Sequence, residues 1–288
     1  MKFWQAIAFT EPDQLVDFAR LAEEFRFTGV TMGDHFVTPT RIDSSYPYTP
    51  DNVPWVQPND PSPDPLMLTG ALAQVTERLR FMVTAYVLPM REPLVAAKAI
   101  STAAVLSNHR LDLGVGVGWM KEEFQAAGQD FHTRGQRCDE AMAAIDRLMT
   151  GEKVSHRGAF YDIPECQLCP VPDQPVPILI AGHSDAAFRR AARYEGWLGA
   201  HYAVDELPPI AERFQKVWSE CGRADAPRIV SPITDLGSLD DCKRLEDAGL
   251  TDLIHMPLTF QGIPASSLDD KRRAMESFVE QFVVPLGP

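Results

Sequence analysis

Strand-like and helix-like segments alternate along nearly all of this 288-residue chain, and no other feature restricts its fold as tightly. Phe3–Phe9 is an apolar, strand-like run, and Asp13–Phe25 then repeats apolar residues at helical spacing through Leu15, Phe18, Ala19 and Ala22. Thr10 is placed to cap that helix, with Pro12 in its first turn. The short, β-prone Gly29–Met32 precedes a long polar segment, 36–65, rich in proline and aromatics and without usable periodicity. Helix Leu66–Val75, strand Leu79–Tyr86, helix Pro93–Leu106, strand Leu111–Val117 and helices Lys121–Ala127 and Gly135–Met149 follow. Residues 152–175 read as an irregular, proline-containing excursion. The alternation resumes with Pro177–Ala181 and Ser184–Tyr194, then Trp197–Ala200 and Glu206–Cys221. Ile229–Ile233 with Leu239–Ala248, and Leu253–Met256 with Leu268–Phe282, complete eight strand–helix units. Sustained βα alternation implies a parallel sheet, and eight units imply an α/β fold closed into a (β/α)8 TIM barrel. The expected organisation is one barrel domain over 1–288, with insertions after the second strand and at 152–175. A doubly wound open sheet is the competing architecture.

Charge and cysteine content restrict the partners. A net charge of −13 speaks against nucleic acid or an anionic membrane, both of which need a basic face. It leaves a small-molecule substrate open. The N-terminal apolar run is too short for a signal peptide and meets acids early, and no stretch approaches a membrane span. Five cysteines at irregular spacing read as reduced thiols of a cytoplasmic protein.

Active sites of such barrels lie at the C-terminal ends of the strands. That directs attention to Asp34-His35, Thr84-Ala85-Tyr86, Gly116 to Trp119, Gly182-His183-Ser184, His201 and His255. The run RLDLGVGVGWMKEEF (110–124) carries Gly114, Gly116 and Gly118 at period two, which strips one strand face of side chains. It is not a Rossmann fingerprint, because GxGxG is not GxGxxG and it does not open a βαβ unit. It reads either as a clearing for a flat ligand or as close packing of protein. Gly182-His183-Ser184 joins a strand to a helix with Ser184 at the N-cap, a turn suited to a phosphate oxygen or simply to capping. His35 is a candidate acid–base group, and Tyr46, Tyr48 and Trp55 offer an aromatic loop surface. A barrel metal hydrolase would use the strand-end histidines, yet no HxH or HExxH occurs, and Cys166-Gln167-Leu168-Cys169 is a lone CxxC. Glu122 and Glu123 open a helix, where acids suit the dipole.

GDHFVTP (33–39), SSYPYTPD (44–51), the stretch from LPMREPL through HTRGQRCDEAM (88–142) and PILIAGHSDAAFRRAARYEGW (177–197) together resemble the bacterial-luciferase-like superfamily. Within it they look most like the coenzyme-F420-dependent branch. The resemblance implies an oxidoreductase passing a hydride between F420 and a small organic substrate, with an FMN-dependent monooxygenase as the alternative. It implies His35 as the proton-transfer residue and Asp34 near the ring. Thr84, Ala85 and Tyr86 would form a strand-three bulge with a non-proline cis peptide, and Tyr86 would shape the pocket. Gly116, Gly118 and Trp119 would line the cofactor side chain, and Gly182, His183 and Ser184 would hold its phosphate, helped by Arg189 and Arg190. A homodimer is also implied. Trp119 stands where the sugar-phosphate dehydrogenases of the superfamily place a glutamate.

Overall fold

The alternation closes into a barrel. The computed structural model describes residues 1–49, 51–256 and 267–287. Strands β1 (Lys2–Ala6), β2 (Gly29–Met32), β3 (Arg80–Val87) and β4 (Leu111–Gly116) lead into helices α1 (Leu15–Glu24), α2 (Pro65–Ala73), α3 (Pro93–Leu106), α4 (Lys121–Ala126) and α5 (Arg134–Leu148). A hairpin of β5 (Lys153–Arg157) and β6 (Asp162–Gln167) intervenes. Then come β7 (Ile178–Ala181), α6 (Asp185–Ala191), β8 (Gly196–Leu198), α7 (Leu207–Glu220), β9 (Arg228–Pro232), α8 (Leu239–Asp247), β10 (Asp252–His255) and α9 (Leu268–Phe278). The barrel order is β1-β2-β3-β4-β7-β8-β9-β10, closed by the β1–β10 pairing, with every ladder parallel. This is a (β/α)8 TIM barrel, and the open-sheet alternative is excluded by closure.

Two apolar layers result from strand alternation. Inward-facing Trp4, Met82, Leu179, Leu198, Val230 and Ile254 fill the barrel. Outward-facing residues such as Phe81, Leu113, Ile180 and Ile229 pack under the helices. The N-terminal end of the barrel is plugged by charge. Asp112 accepts from Arg80 (3.1 and 2.9 Å), while Asp252 accepts from Arg228 (3.1 and 2.7 Å) and Trp4 Nε1 (2.8 Å). Burial alone raises the Asp252 pKa, but Arg228, Thr251 and Trp4 outweigh it and hold the carboxyl below its ordinary value. A depressed carboxylate stabilises the fold above its unfolded pKa of about 3.9, and that contribution disappears as pH falls through the folded value. Wild-type Tm is therefore expected to drop on acidification below about pH 5, with a shallower drop in Asp252→Asn. Parallel Tm-versus-pH curves for the two proteins would contradict this assignment.

Two sequence expectations need correction. Residues 152–175 are not irregular throughout, since β5 and β6 pair antiparallel with a register shift between Val154 and His156. The Glu140 carboxylate on α5 organises the turn, accepting from the Ala159, Phe160 and Tyr161 N–H groups and facing His156 Nε2 at 3.1 Å. Thr10 does not cap α1 with its side chain. A single 3-10 turn, Pro12–Gln14, leads into that helix without a side-chain cap, and Lys271 of α9 binds Glu11 and Gln14 instead.

Candidate active site

The strand ends enclose a cavity of about 590 Å3 at the C-terminal mouth of the barrel, within the size range of small-ligand sites. Its floor is made of small residues. A Cβ built on Gly116 would lie 3.1 Å from Ala85 Cβ and 3.8 Å from Ala181 Cβ. Thr84–Ala85 is a non-proline cis peptide, at a register shift of β3 against β4 between Val83 and Tyr86. The three glycines prove to have separate causes. Gly114 serves packing, as a Cβ there would sit 2.5 Å from the Val83 carbonyl oxygen and 2.6 Å from Leu198. Gly116 keeps the cavity floor open, and Gly118 takes a left-handed φ of 81° against Phe124 and Val87.

Asp34 and His35 follow the end of β2 and meet different partners. Asp34 borders the cavity, but its carboxylate is engaged by protein: it accepts from Val87 N–H and from both Arg91 Nη atoms, each at 2.8 Å. Arg91 is clasped between the Phe36 and Tyr86 rings, at 4.2 and 4.0 Å. Tyr86 is thus not a pocket-shaping residue. Its ring lies in the core under Arg91, and burial pushes its hydroxyl well above the ordinary pKa.

His35 has a partner that the spacing of residues did not suggest. Its Nδ1 lies 3.2 Å from Glu123 Oε2, while Glu123 Oε1 accepts the Phe36 N–H at 2.6 Å. Glu123 is only 3% exposed. A carboxylate accepts and does not donate, so Nδ1 carries the hydrogen and Nε2 is the ring nitrogen that Glu123 does not engage. Glu122 holds the loop instead, accepting from the Asp43 and Ser44 N–H groups (both 3.0 Å) and the Ser44 hydroxyl (2.7 Å). The pair read as helix-start acids therefore fastens the cavity-side histidine and the long loop to α4.

That loop roofs the cavity with aromatic rings. Tyr46 packs on Trp119 (4.8 Å) and Tyr48 (5.3 Å), Tyr48 on His183 (5.4 Å), and Trp55 on His201 (4.6 Å). Trp119 lies in the wall and carries the roof. Burial, joined by neighbouring Tyr48, raises the Tyr46 hydroxyl pKa, so the roof carries no phenolate near neutrality.

At the ends of β4 and β7 the lining becomes polar. Gly182 adopts φ 112°, which its lack of a Cβ permits, and Ser184 Oγ caps α6 by accepting the Ala187 N–H at 3.2 Å. Burial first, and the Arg213 guanidinium second, hold the His183 imidazole below its usual pKa. Arg190, expected to help with an anion, is committed to Asp139 through two 2.8 Å bonds, and Arg189 is not among the lining residues. The available cation is Arg134, which went unnoticed in the sequence because it reads as a helix-opening residue. It bonds the Gly118 and Phe131 carbonyls and stacks on Phe131 at 3.8 Å, and no carboxylate among the described residues pairs with it.

The two remaining strand-end histidines sit in different surroundings. His255 is buried, facing Gln5 Oε1 at 2.8 Å and stacked on Phe278 at 3.9 Å, outside the cavity. Burial pushes the His201 imidazole down to about 4. Among the described residues no group of three or more His, Cys, Asp or Glu side chains is placed to hold a metal ion. Cys166 and Cys169 are free thiols.

The architecture is that of a TIM barrel with a flat-floored, aromatic-roofed ligand cavity at its mouth and a histidine–carboxylate pair on the wall. The chain belongs to the luciferase-like monooxygenase family, whose model matches residues 5–236. Members of this family are oxidoreductases or monooxygenases. A Mycobacterium tuberculosis protein described as uncharacterised is 37% identical over 286 residues, covering 98% of this chain and 99% of its own. An F420-dependent glucose-6-phosphate dehydrogenase of Amycolatopsis mediterranei is 30% identical over 211 residues, 70% of this chain and 59% of that protein. Among solved structures, an F420-dependent secondary alcohol dehydrogenase in complex with an F420–acetone adduct superposes with a TM-score of 0.75 at 16% identity over 98% of each chain. No helix among the described residues is long and apolar enough to cross a membrane.

Proposed function

We propose that this protein is an F420-dependent oxidoreductase acting on a small organic substrate. The observation that carries the reading is the cavity floor: small Ala85 and Ala181 and bare Gly116 leave a clearing in the same cavity as the His35–Glu123 pair. The donor set fits the group. Ala85 and Gly116 would support the ring, Trp119 and Gly118 would flank its side chain, and Arg134 with the Gly182-His183-Ser184 turn would meet its phosphate. When bound, the deazaflavin supplies a hydride donor or acceptor at C5. The protein contributes orientation, exclusion of water under the aromatic roof, and a proton held at or taken by His35 Nε2. Asp34 acts through Arg91 and Val87 as a positioning residue for the bulge. The 30% identity to an F420-dependent dehydrogenase favours the deazaflavin over FMN.

Titration of the purified protein with F420 and with FMN, read by mass and visible spectrum of what is retained, tests this. Saturable F420 binding with little FMN uptake is expected. Retention of FMN with no binding of F420 would replace this reading with the flavin monooxygenase.

Cytoplasmic location is supported by five free cysteines. A homodimer is supported by apolar side chains left outside on adjacent α2 and α3, among them Met67 (78% exposed), Val95 (65%) and Leu106 (54%). Light scattering is expected to give twice the mass of one chain for the wild type and the monomer mass for Val95→Asp. A wild-type monomer would refute it.

A further inference from the structure

The wall segment 119–123 grips the long loop repeatedly. Tyr46 packs on Trp119 at 4.8 Å. Just before Tyr46 in the chain, the Asp43 and Ser44 N–H groups donate to Glu122 Oε1, both at 3.0 Å, and the Ser44 hydroxyl donates to Oε2 at 2.7 Å. The Lys121 N–H donates in turn to Ser44 Oγ at 3.0 Å. Glu123 then holds the start of the loop through His35 and the Phe36 N–H. Past Ser44 the loop meets the barrel with rings, Tyr46 on Trp119 and Tyr48 on His183, while its backbone turns in on itself. There the Tyr46 N–H donates to the Asn52 carbonyl (2.9 Å) and the Thr49 hydroxyl to the Val53 carbonyl (3.0 Å). Ser45, Tyr46, Pro47 and Tyr48 line the cavity directly after the Ser44 anchor. Burial opposes a charge on Glu122, but the Ser44 hydroxyl and the surrounding backbone N–H groups outweigh it and hold the carboxyl below its ordinary pKa. The anchor is therefore an anion at neutral pH, and charge-assisted hydrogen bonds are the stronger kind.

We propose that Glu122 is a positioning residue for the ring bound in this cavity, setting how long that ring is retained by pinning the aromatic roof at Ser44. The inference rests on the functional reading above for what the cavity is used for, though not for the choice between F420 and FMN. Apolar contact is non-directional and lets the Tyr46 and Tyr48 rings slide, whereas hydrogen bonds fix the backbone from which they hang. Without the carboxylate, the Asp43 and Ser44 N–H groups turn to water, and Tyr46 stays on Trp119 by ring contact. A bound ring then leaves sooner, because release from a covered site waits on its cover. The other end of the barrel supplies a matched comparison. Glu23, at the end of α1, likewise accepts the Glu77, Arg78 and Leu79 N–H groups (3.0, 2.6 and 2.8 Å), and it does not line the cavity. Loss of either carboxylate frees a loop, but only Glu122 holds one that covers a ligand.

The test compares Glu122→Ala, Glu122→Gln and Glu23→Ala with the wild type, all as the full chain. Release of F420 and of FMN is followed by stopped-flow fluorescence, and Tm by calorimetry. Chymotryptic cleavage after Tyr48 and Trp55, in protein without ligand, is followed by mass. Glu122→Ala is expected to release the ring at least about tenfold faster and to be cut about tenfold faster at those two sites. Glu122→Gln keeps an oxygen for the two N–H groups and an amide N–H for Ser44 Oγ, so it is expected to recover most of both rates. Glu23→Ala is expected to lose a comparable amount of Tm and to change neither rate. Unchanged release and cleavage in a folded Glu122→Ala protein overturns the inference. So does a lack of recovery in Glu122→Gln, or an equal change in Glu23→Ala. Uptake of neither ring by the wild type would refute the functional reading, and the cleavage rates alone would then decide whether Glu122 pins the roof.

Discussion

His35→Ala is expected to lower kcat by about 10²–10⁴-fold, the usual share of a positioned acid–base group, while the affinity for F420 stays close to that of the wild type. The two quantities separate because the proposed function assigns His35 to the substrate proton and Arg134 with the Gly182-His183-Ser184 turn to the cofactor's phosphate. Glu123→Gln removes the charge that orients the ring but keeps an amide oxygen for one of the two bonds, to His35 Nδ1 or to the Phe36 N–H. It is expected to fall between wild type and His35→Ala in kcat, with KM changed little. Residues acting as a unit are strongly non-additive, so the double variant should be no slower than His35→Ala alone. Steady-state kinetics and F420 fluorescence titration on the three variants decide the matter. Full turnover by His35→Ala, or independent multiplicative losses, would show that the pair does not handle the proton.

The second large effect lies behind the wall. Arg91→Met strands the Asp34 carboxylate, whose side chain is 1% exposed and would keep only the Val87 N–H. Breaking one side of a buried, hydrogen-bonded pair costs roughly 3–5 kcal/mol, which for a chain of this length corresponds to a Tm drop on the order of 10 °C. The packing of Arg91 between Phe36 and Tyr86 disappears as well, so the β2 and β3 ends loosen together. F420 affinity is expected to fall along with Tm. Replacing both partners, as in Asp34→Leu with Arg91→Met, should recover much of the stability, because no buried charge remains. Calorimetry of the single and double variants gives the answer. An additive loss in the double variant would mean that Asp34 is not held chiefly by Arg91.

Much of this molecule could be read from local pattern. Period-two and period-3.6 apolar spacing placed each barrel strand and its helix, and strand–Gly–Ser–helix spacing placed the Ser184 cap. Other features escaped for identifiable reasons. The β5–β6 hairpin carries alternating polar side chains on an exposed ribbon, so it shows no apolar run, and its turn depends on Glu140 from α5. Glu123 and Arg134 sit in the first turns of their helices, where acids and helix formers are ordinary. Nothing in their spacing shows which of them faces a cavity. The family resemblance puts Asp34 near the ring, whereas the Arg91 that engages it lies 57 residues further on.

By itself the sequence determined the barrel, since eight alternating units with apolar strands have few other ways to bury both faces of a parallel sheet. It also determined the set of strand ends at which a site can lie. Only the tertiary structure decided which partner each residue there meets. It turned Asp34 and Tyr86 onto Arg91, gave His35 its carboxylate, tied Arg190 to Asp139 and divided the reasons for three glycines. The physical cause is range: side-chain periodicity is a property of neighbours along the chain, whereas hydrogen bonds and ion pairs join residues that meet only when the barrel closes.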